Sequence, residues 1–160
     1  MTLDTDVARL ARTRPFSLMP REAVQLIAFS CAKQRLRAGE PLFSAGDEGD
    51  AGFFLQAGAI LLEDRKAPAA GVRRVTVGAL IGESALYAPT VRRVDARADD
   101  DTVLTRIPRE TFRRVLAEFP EAAEKIHAAL ADRTRRLVEG LDAARVRSID
   151  ASPPRSRVPT

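Results

Sequence analysis

A glycine and an acid, Gly82-Glu83, are followed by the short residues Ser84 and Ala85, and Arg92 stands nine positions beyond Glu83. These residue types at this spacing suit the binding of an anion beside a hydroxyl. Glycine has no Cβ, so its backbone can approach a ligand closely. A short helical turn opening at Ser84 directs N–H groups and the positive end of a dipole at negative charge. Arg92 adds a planar, permanently charged fork that can bind phosphate through two hydrogen bonds. Glu83 is a poor partner for an anion but a good acceptor for a neutral hydroxyl. Phosphate next to a sugar hydroxyl is what a nucleotide presents.

The stretch from Ile81 to Ala98, IGESALYAPTVRRVDARA, resembles the phosphate-binding cassette of the cyclic nucleotide-binding domain family. That family includes the catabolite activator protein, protein kinase A regulatory subunits and cyclic-nucleotide-gated channels. Its pattern is an apolar residue, Gly-Glu, any residue, a small residue, an apolar residue, then five or more residues to Arg. Ile81, Gly82, Glu83, Ala85, Leu86 and Arg92 match it, and Ala96 and Ala98 fit again further on. Arg93 and Val94 depart from it, since the family usually has Ser, Thr or Ala and then Ala there. Arg92 is preferred over Arg93 as the phosphate ligand because it keeps the spacing to both Glu83 and Ala98. Arg93 either crowds the pocket or points outward and helps collect the anion.

The elements that must position these residues follow from the rest of the chain. From about Gln34, short apolar pieces (Leu36, Leu42-Phe43, Phe53-Phe54-Leu55, Ile60-Leu61-Leu62, Val72, Val75, Val77) alternate with glycine-bearing turns. Many short strands with regular turn signals predict an all-β sandwich or barrel in this region, not alternating β/α units. Leu42, Gly46, Asp47, Gly49, Phe53, Phe54, Leu55 and Gly58 also match the family's first signature, with Phe43 departing by bulk and Gly52 by replacing an apolar residue. The resemblance therefore implies an α+β fold, an antiparallel β-roll (a jelly-roll-like double-stranded β-helix). N-terminal helices and a C-terminal helical lid would flank it.

Helices are expected within Leu3–Arg12 and after Pro20, where Val24, Leu26, Ile27 and Phe29 fall on one side. Val103–Ile107 reads as the closing strand. A helix from near Arg109 has Phe112, Val115, Leu116 and Phe119 as its inner face. A long amphipathic helix follows, at about Glu121–Arg147, with Ala123, Leu130, Leu137 and Ala144 at seven-residue intervals. A stripe of this kind is core or a seam for a partner helix. By ungapped spacing from Arg92, Arg133 falls where some family members set an arginine against the base. Thr134 is the neighbouring polar alternative, and an ordinary surface arginine is the other reading. The expected organisation is one domain over 1–147: helices over 1–32, the β-roll over 33–108 with the cassette at 81–98, and helices over 109–147. A flexible tail rich in Pro, Ser and Arg covers 148–160.

Composition excludes several other classes. The 160 residues are 45% hydrophobic and 30% charged, an ordinary globular balance large enough for one self-sufficient core. The formal charge is +4, yet the arginines are interleaved with acids, so a nucleic-acid footprint is not indicated. No apolar run is long enough to span a bilayer, no signal-peptide core opens the chain, and a cytoplasmic location is expected. Cys31 is the single cysteine and reads as a small buried hydrophobe; the single histidine, His127, sits on a predicted helix. Asp99-Asp100-Asp101 reads as a solvated turn, not a metal site. A cupin-like enzyme usually needs two or three barrel histidines, and no nucleophile–base pair stands out, so enzymatic activity is not expected.

The resemblance implies a regulatory receptor for a cyclic nucleotide. It would use Ile81, Gly82, Glu83, Ser84, Ala85, Arg92, Arg93, Val94 and Arg133, and no cofactor or metal. Family sites selective for cGMP commonly carry Thr beside the phosphate arginine. Arg93 occupies that place, so cAMP is favoured over cGMP. With no helix-turn-helix, channel or kinase segment in sight, the signal would pass to an effector protein of unknown identity or to a second copy through the C-terminal helix. The alternative is a non-binding interaction or dimerisation module that keeps the fold while its pocket has decayed.

Overall fold

The computed structural model describes the backbone of residues 3–150 and the side chains of residues 3–145. Helix α1 (Leu3–Leu10) and helix α2 (Arg21–Ser30) open the chain. Pro20 caps α2 with extended backbone, which suits a residue that has no N–H to offer the helix. The buried stripe of α2 is Ala23, Val24 and Ile27. Leu26 and Phe29, expected on that inner face, lie instead on the next stripe, and Phe29 is 79% exposed. At 100° per residue the helix cannot turn all four apolar positions inward.

Ten strands follow: β1 (Lys33–Leu36), β2 (Pro41–Phe43), β3 (Glu48–Gly49), β4 (Ala51–Ala57), β5 (Ala59–Glu63), β6 (Val72–Thr76), β7 (Leu80–Ile81), β8 (Thr90–Val91), β9 (Asp95–Ala98) and β10 (Thr102–Pro108). They form two four-stranded antiparallel sheets, β1-β10-β4-β7 and β2-β9-β5-β6, with β3 and β8 paired separately. Fold class is thus α+β and antiparallel, as expected. One core cluster joins the two larger sheets. Leu36, Ala51, Phe53, Leu55, Ile81 and Leu104 come from the first, and Ile60, Ala96 and Ala98 from the second. The other face of β4 is buried as well, at Gly52, Phe54 and Gln56. This explains why β4 reads as a continuous apolar run and not as an alternating one.

Helix α3 (Arg109–Glu118) starts directly after β10 and buries Thr111, Phe112 and Val115. Phe112 meets Phe16 edge-to-face at 6.0 Å and Tyr87 in the same manner at 6.0 Å. Helix α4 runs from Pro120 to Asp150. It therefore passes the expected end at Arg147 and includes the first three residues of the anticipated tail; 151–160 lie outside the described residues. Compact packing divides the chain at Ala123/Glu124, so most of α4 forms a unit of its own. On that unit Leu137, Val138 and Leu141 are exposed.

Candidate functional site

The site is built on one left-handed residue. Gly82, at φ 70° and ψ 35°, ends β7 and opens a single 3-10 turn over Glu83–Leu86. The turn begins one residue before the expected Ser84 and is tighter than an α-helix. Its first bond runs from the Ala85 N–H to the Gly82 carbonyl at 3.1 Å. A left-handed conformation favours glycine sterically. Here a second reason is stronger: a Cβ on Gly82 would overlap Nη1 of Arg92.

Arg92 is 7% exposed, an unusual degree of burial for an arginine. Nη2 donates to the Ala51 carbonyl at 2.6 Å. The guanidinium lies over the Phe43 ring at 4.4 Å and near Phe53 at 5.6 Å, so two aromatic faces share its charge. The bulk of Phe43, which departs from the expected signature, has this physical use. Gly49 contributes by being small: a Cβ there would lie 3.0 Å from Arg92 Cζ and 2.9 Å from Thr90 Cγ2. Burial pushes the Arg92 pKa down, opposed by Asp50 and Asp47. Arginine titrates so far above neutrality that the group stays charged.

Backbone bonds fix where this arginine stands. Its N–H donates to the Asp47 carbonyl at 2.8 Å, and its carbonyl accepts from Gly46 N–H at 2.9 Å. Asp47 Oδ2 accepts from Ser44 N–H at 2.9 Å, and Asp95 Oδ1 accepts from Ala45 N–H at 2.8 Å. The Ala45 bond, reinforced by Arg65, holds the Asp95 carboxyl below the usual carboxylate range. A second arginine, Arg109 at the start of α3, ties the cassette from behind. Its Nη1 lies 3.0 Å from Gly49 O, 3.1 Å from Ala85 O and 3.2 Å from Ala88 O. Sequence reasoning passed over Arg109, because nothing local distinguishes it from the other arginines of a helix.

A cavity of about 240 Å³ opens in front of Arg92. Of the anticipated residues, Ile81, Gly82, Ser84, Arg92, Arg93 and Val94 line it. Ala85 is fully buried beneath the turn. Glu83 is half-buried and absent from the lining; its Oε1 accepts from the Tyr87 hydroxyl at 2.6 Å. Arg133 sits exposed on α4, and Thr134 directs its hydroxyl to the Leu130 carbonyl of the same helix at 3.0 Å. Sequence reasoning missed Leu62, Arg73 and Leu80 as lining residues. The register offers the missing signal: Leu62 pairs with Arg73, and Val75 lies two residues along the same face of β6.

The remaining chemistry-bearing residues do not appear in the lining of this cavity. Cys31 is half-buried, not buried as expected, and burial still pushes its thiol up to about 11, leaving little thiolate near neutral pH. His127 is exposed on α4. Among the described residues no group of three or more His, Cys, Asp or Glu is arranged to hold a metal ion. No described helix is long and apolar enough to cross a membrane.

An antiparallel β-roll flanked by helices, with a glycine-led turn closing on a buried arginine, defines a class of regulatory domain. The model of the cyclic nucleotide-binding domain matches residues 33–119, and the chain belongs to that family. A solved cyclic nucleotide-binding-like protein from Brucella abortus is 36% identical with a TM-score of 0.63, over 71% of this chain and 99% of that one. Lysophospholipase NTE1 of Chaetomium globosum is 32% identical over 125 residues, 77% of this chain but 8% of the relative. A cAMP-dependent protein kinase regulatory subunit of Eremothecium gossypii is 32% identical over 103 residues, 63% of this chain and 21% of the relative. The chain thus spans a small part of the curated relatives it matches, and the family assignment carries a regulatory role.

Proposed function

We propose that this domain is a receptor for a 3′,5′-cyclic nucleotide, with cAMP favoured over cGMP. The observation that carries the reading is Arg92, buried at the back of the cavity with its guanidinium against the left-handed Gly82 turn. Among the described residues the one hydrogen bond of its side chain goes to Ala51, which leaves N–H donors of the fork for an anion. A cyclic phosphate would sit between that fork and the backbone of the Gly82–Ala85 turn. Ile81 and Val94 supply apolar wall to the sugar and base, and Arg93 adds positive charge at the mouth. Glu83 accepts from the ribose 2′-hydroxyl once it leaves Tyr87. The family's threonine position directly after the arginine is Arg93 here, which disfavours guanine, and kinship with a cAMP-dependent kinase regulatory subunit supports the same preference.

The signal leaves through the C-terminal helices. Arg109 and Phe112 of α3 touch the cassette directly, by hydrogen bonds and by the Tyr87 ring. Ligand binding that moves the turn therefore biases α3, by as much as the ligand's affinity differs between the two arrangements. Exposed Leu137, Val138 and Leu141 on α4 suit docking to an effector or pairing with a second subunit, with Arg133 offering a charged contact to a base or partner.

A second reading keeps the fold as a non-binding dimerisation module, favoured by the departures at Arg93 and Val94, both of which line the cavity. Calorimetric titration of the purified protein with cAMP and with cGMP separates the two. Heat and a thermal shift with cAMP, weaker with cGMP, are expected; silence with both supports the module.

A further inference from the structure

Resting on the receptor reading, we propose that the site takes a nucleotide ligand carrying a second phosphate in addition to the one held by Arg92. Among the described residues the charged ones lining the cavity are Arg73, Arg92 and Arg93, and no carboxylate lines it. A 3′,5′-cyclic phosphodiester brings a single negative charge. The buried Arg92 and the Gly82 turn already supply its partners. Two guanidiniums then remain.

Neither is neutralised by a described residue. Arg73 stands on β6 between residues whose charges are spoken for: Arg74 on the opposite face pairs with Asp99 at 2.7 Å. In the same sheet Arg97 of β9 pairs with Glu63 of β5 at 3.3 Å, and Arg65, just past β5, pairs with Asp95. Arg73 and Arg93 have no hydrogen bond or ion pair among the described residues, and both are exposed on the side where the cavity opens. The two other arginines of that sheet, Arg74 and Arg97, are each matched to an acid, and two unmatched arginines lining one cavity that holds no acid suit extra negative charge there.

Room for a larger ligand is present. The cavity, at about 240 Å³, falls below the ~300–1,000 Å³ typical of small-molecule sites. A neighbouring cleft of about 530 Å³ shares Thr90, Val91, Arg92 and Arg93 with it and adds Lys66. Asp64 is the single acid there, and its Oδ1 already accepts from the Lys66 backbone N–H at 2.9 Å. Arg93 borders both spaces, so a phosphate at the mouth would meet Arg93 with Arg73 on one side or Lys66 on the other.

The test compares affinities by calorimetry for cAMP, adenosine 3′,5′-bisphosphate and cyclic di-AMP, in the intact chain and in Arg73→Gln and Arg93→Gln. One of the two-phosphate probes is expected to bind at least tenfold more tightly than cAMP, about what one added charge-assisted contact contributes. The bisphosphate winning assigns the second phosphate to the same nucleoside; the dinucleotide winning assigns it to a second nucleotide in the adjoining cleft. In both variants that margin should shrink at least threefold, and raising the salt should shrink it in the intact chain. Cyclic AMP binding as tightly as either probe overturns this inference and leaves the receptor reading standing. So does a margin that survives both substitutions. If no probe binds, both fall together.

Discussion

The two ends of the 81–98 stretch differ in how far they are prepared for a ligand. At one end Arg92 is held by backbone bonds on either side, seated on Phe43 and Phe53, and backed by the Ala51 carbonyl. At the other end Glu83 has its carboxylate on the Tyr87 hydroxyl and stays out of the cavity lining. On the receptor reading proposed above, the anion-binding half would be assembled in advance, and the hydroxyl-binding half would have to exchange one hydrogen bond for another. Such an exchange nets little, since one hydroxyl donor to the carboxylate replaces another. Affinity should therefore come from the arginine end, and discrimination between sugars from the glutamate end.

The largest expected effect is at the residue that lets Arg92 lie where it does. Gly82→Ala places a methyl on Arg92 Nη1 and forces an L-residue into left-handed backbone, strain of about 1–2 kcal/mol before the arginine moves. Cyclic nucleotide binding should drop by a hundredfold or so, as when the anion contact itself is lost. Retained affinity in this variant would mean that the turn and the arginine are not one unit.

Arg109→Ala comes next. Three carbonyls from β3 and the cassette lose their shared donor, and the folded state should lose about 1–3 kcal/mol, read as a lower melting temperature. Binding should weaken alongside, since the turn then floats. Unchanged melting would show that the cassette is positioned by its strands alone.

The smallest effects are expected at the glutamate end. Glu83→Ala should reduce affinity for the ribonucleotide by a few-fold while sparing its 2′-deoxy analogue; equal losses cancel the sugar contact. Tyr87→Phe removes the competing hydroxyl and should improve ribonucleotide affinity about two- to fivefold, less than the full worth of one hydrogen bond to a carboxylate. A loss instead of a gain would assign Tyr87 to holding Glu83 in its working position.

What could be seen in advance follows the same division. Strand spacing, glycine turns and the Gly82–Arg92 interval were legible because each rests on local chemistry: backbone freedom, period-two alternation and fixed charge. The bond between Glu83 and Tyr87 was not, although four residues on a helical turn bring such side chains together. Arg109 and Arg73 were hidden for a different reason. Arg109 meets carbonyls about 20–60 residues away, and Arg73 reaches the cavity only by standing across from Leu62 in the sheet, so neither role is visible locally. The outward stripe of α2 was misread because four apolar residues in six positions exceed what one helix face can bury.

The most direct measurement is calorimetry of cAMP against the wild-type chain and Arg92→Ala under identical conditions. The account predicts saturable binding to the wild type and a loss of about 1.5–3 kcal/mol, roughly 10- to 150-fold, in the variant. Equal affinities for the two proteins would contradict it.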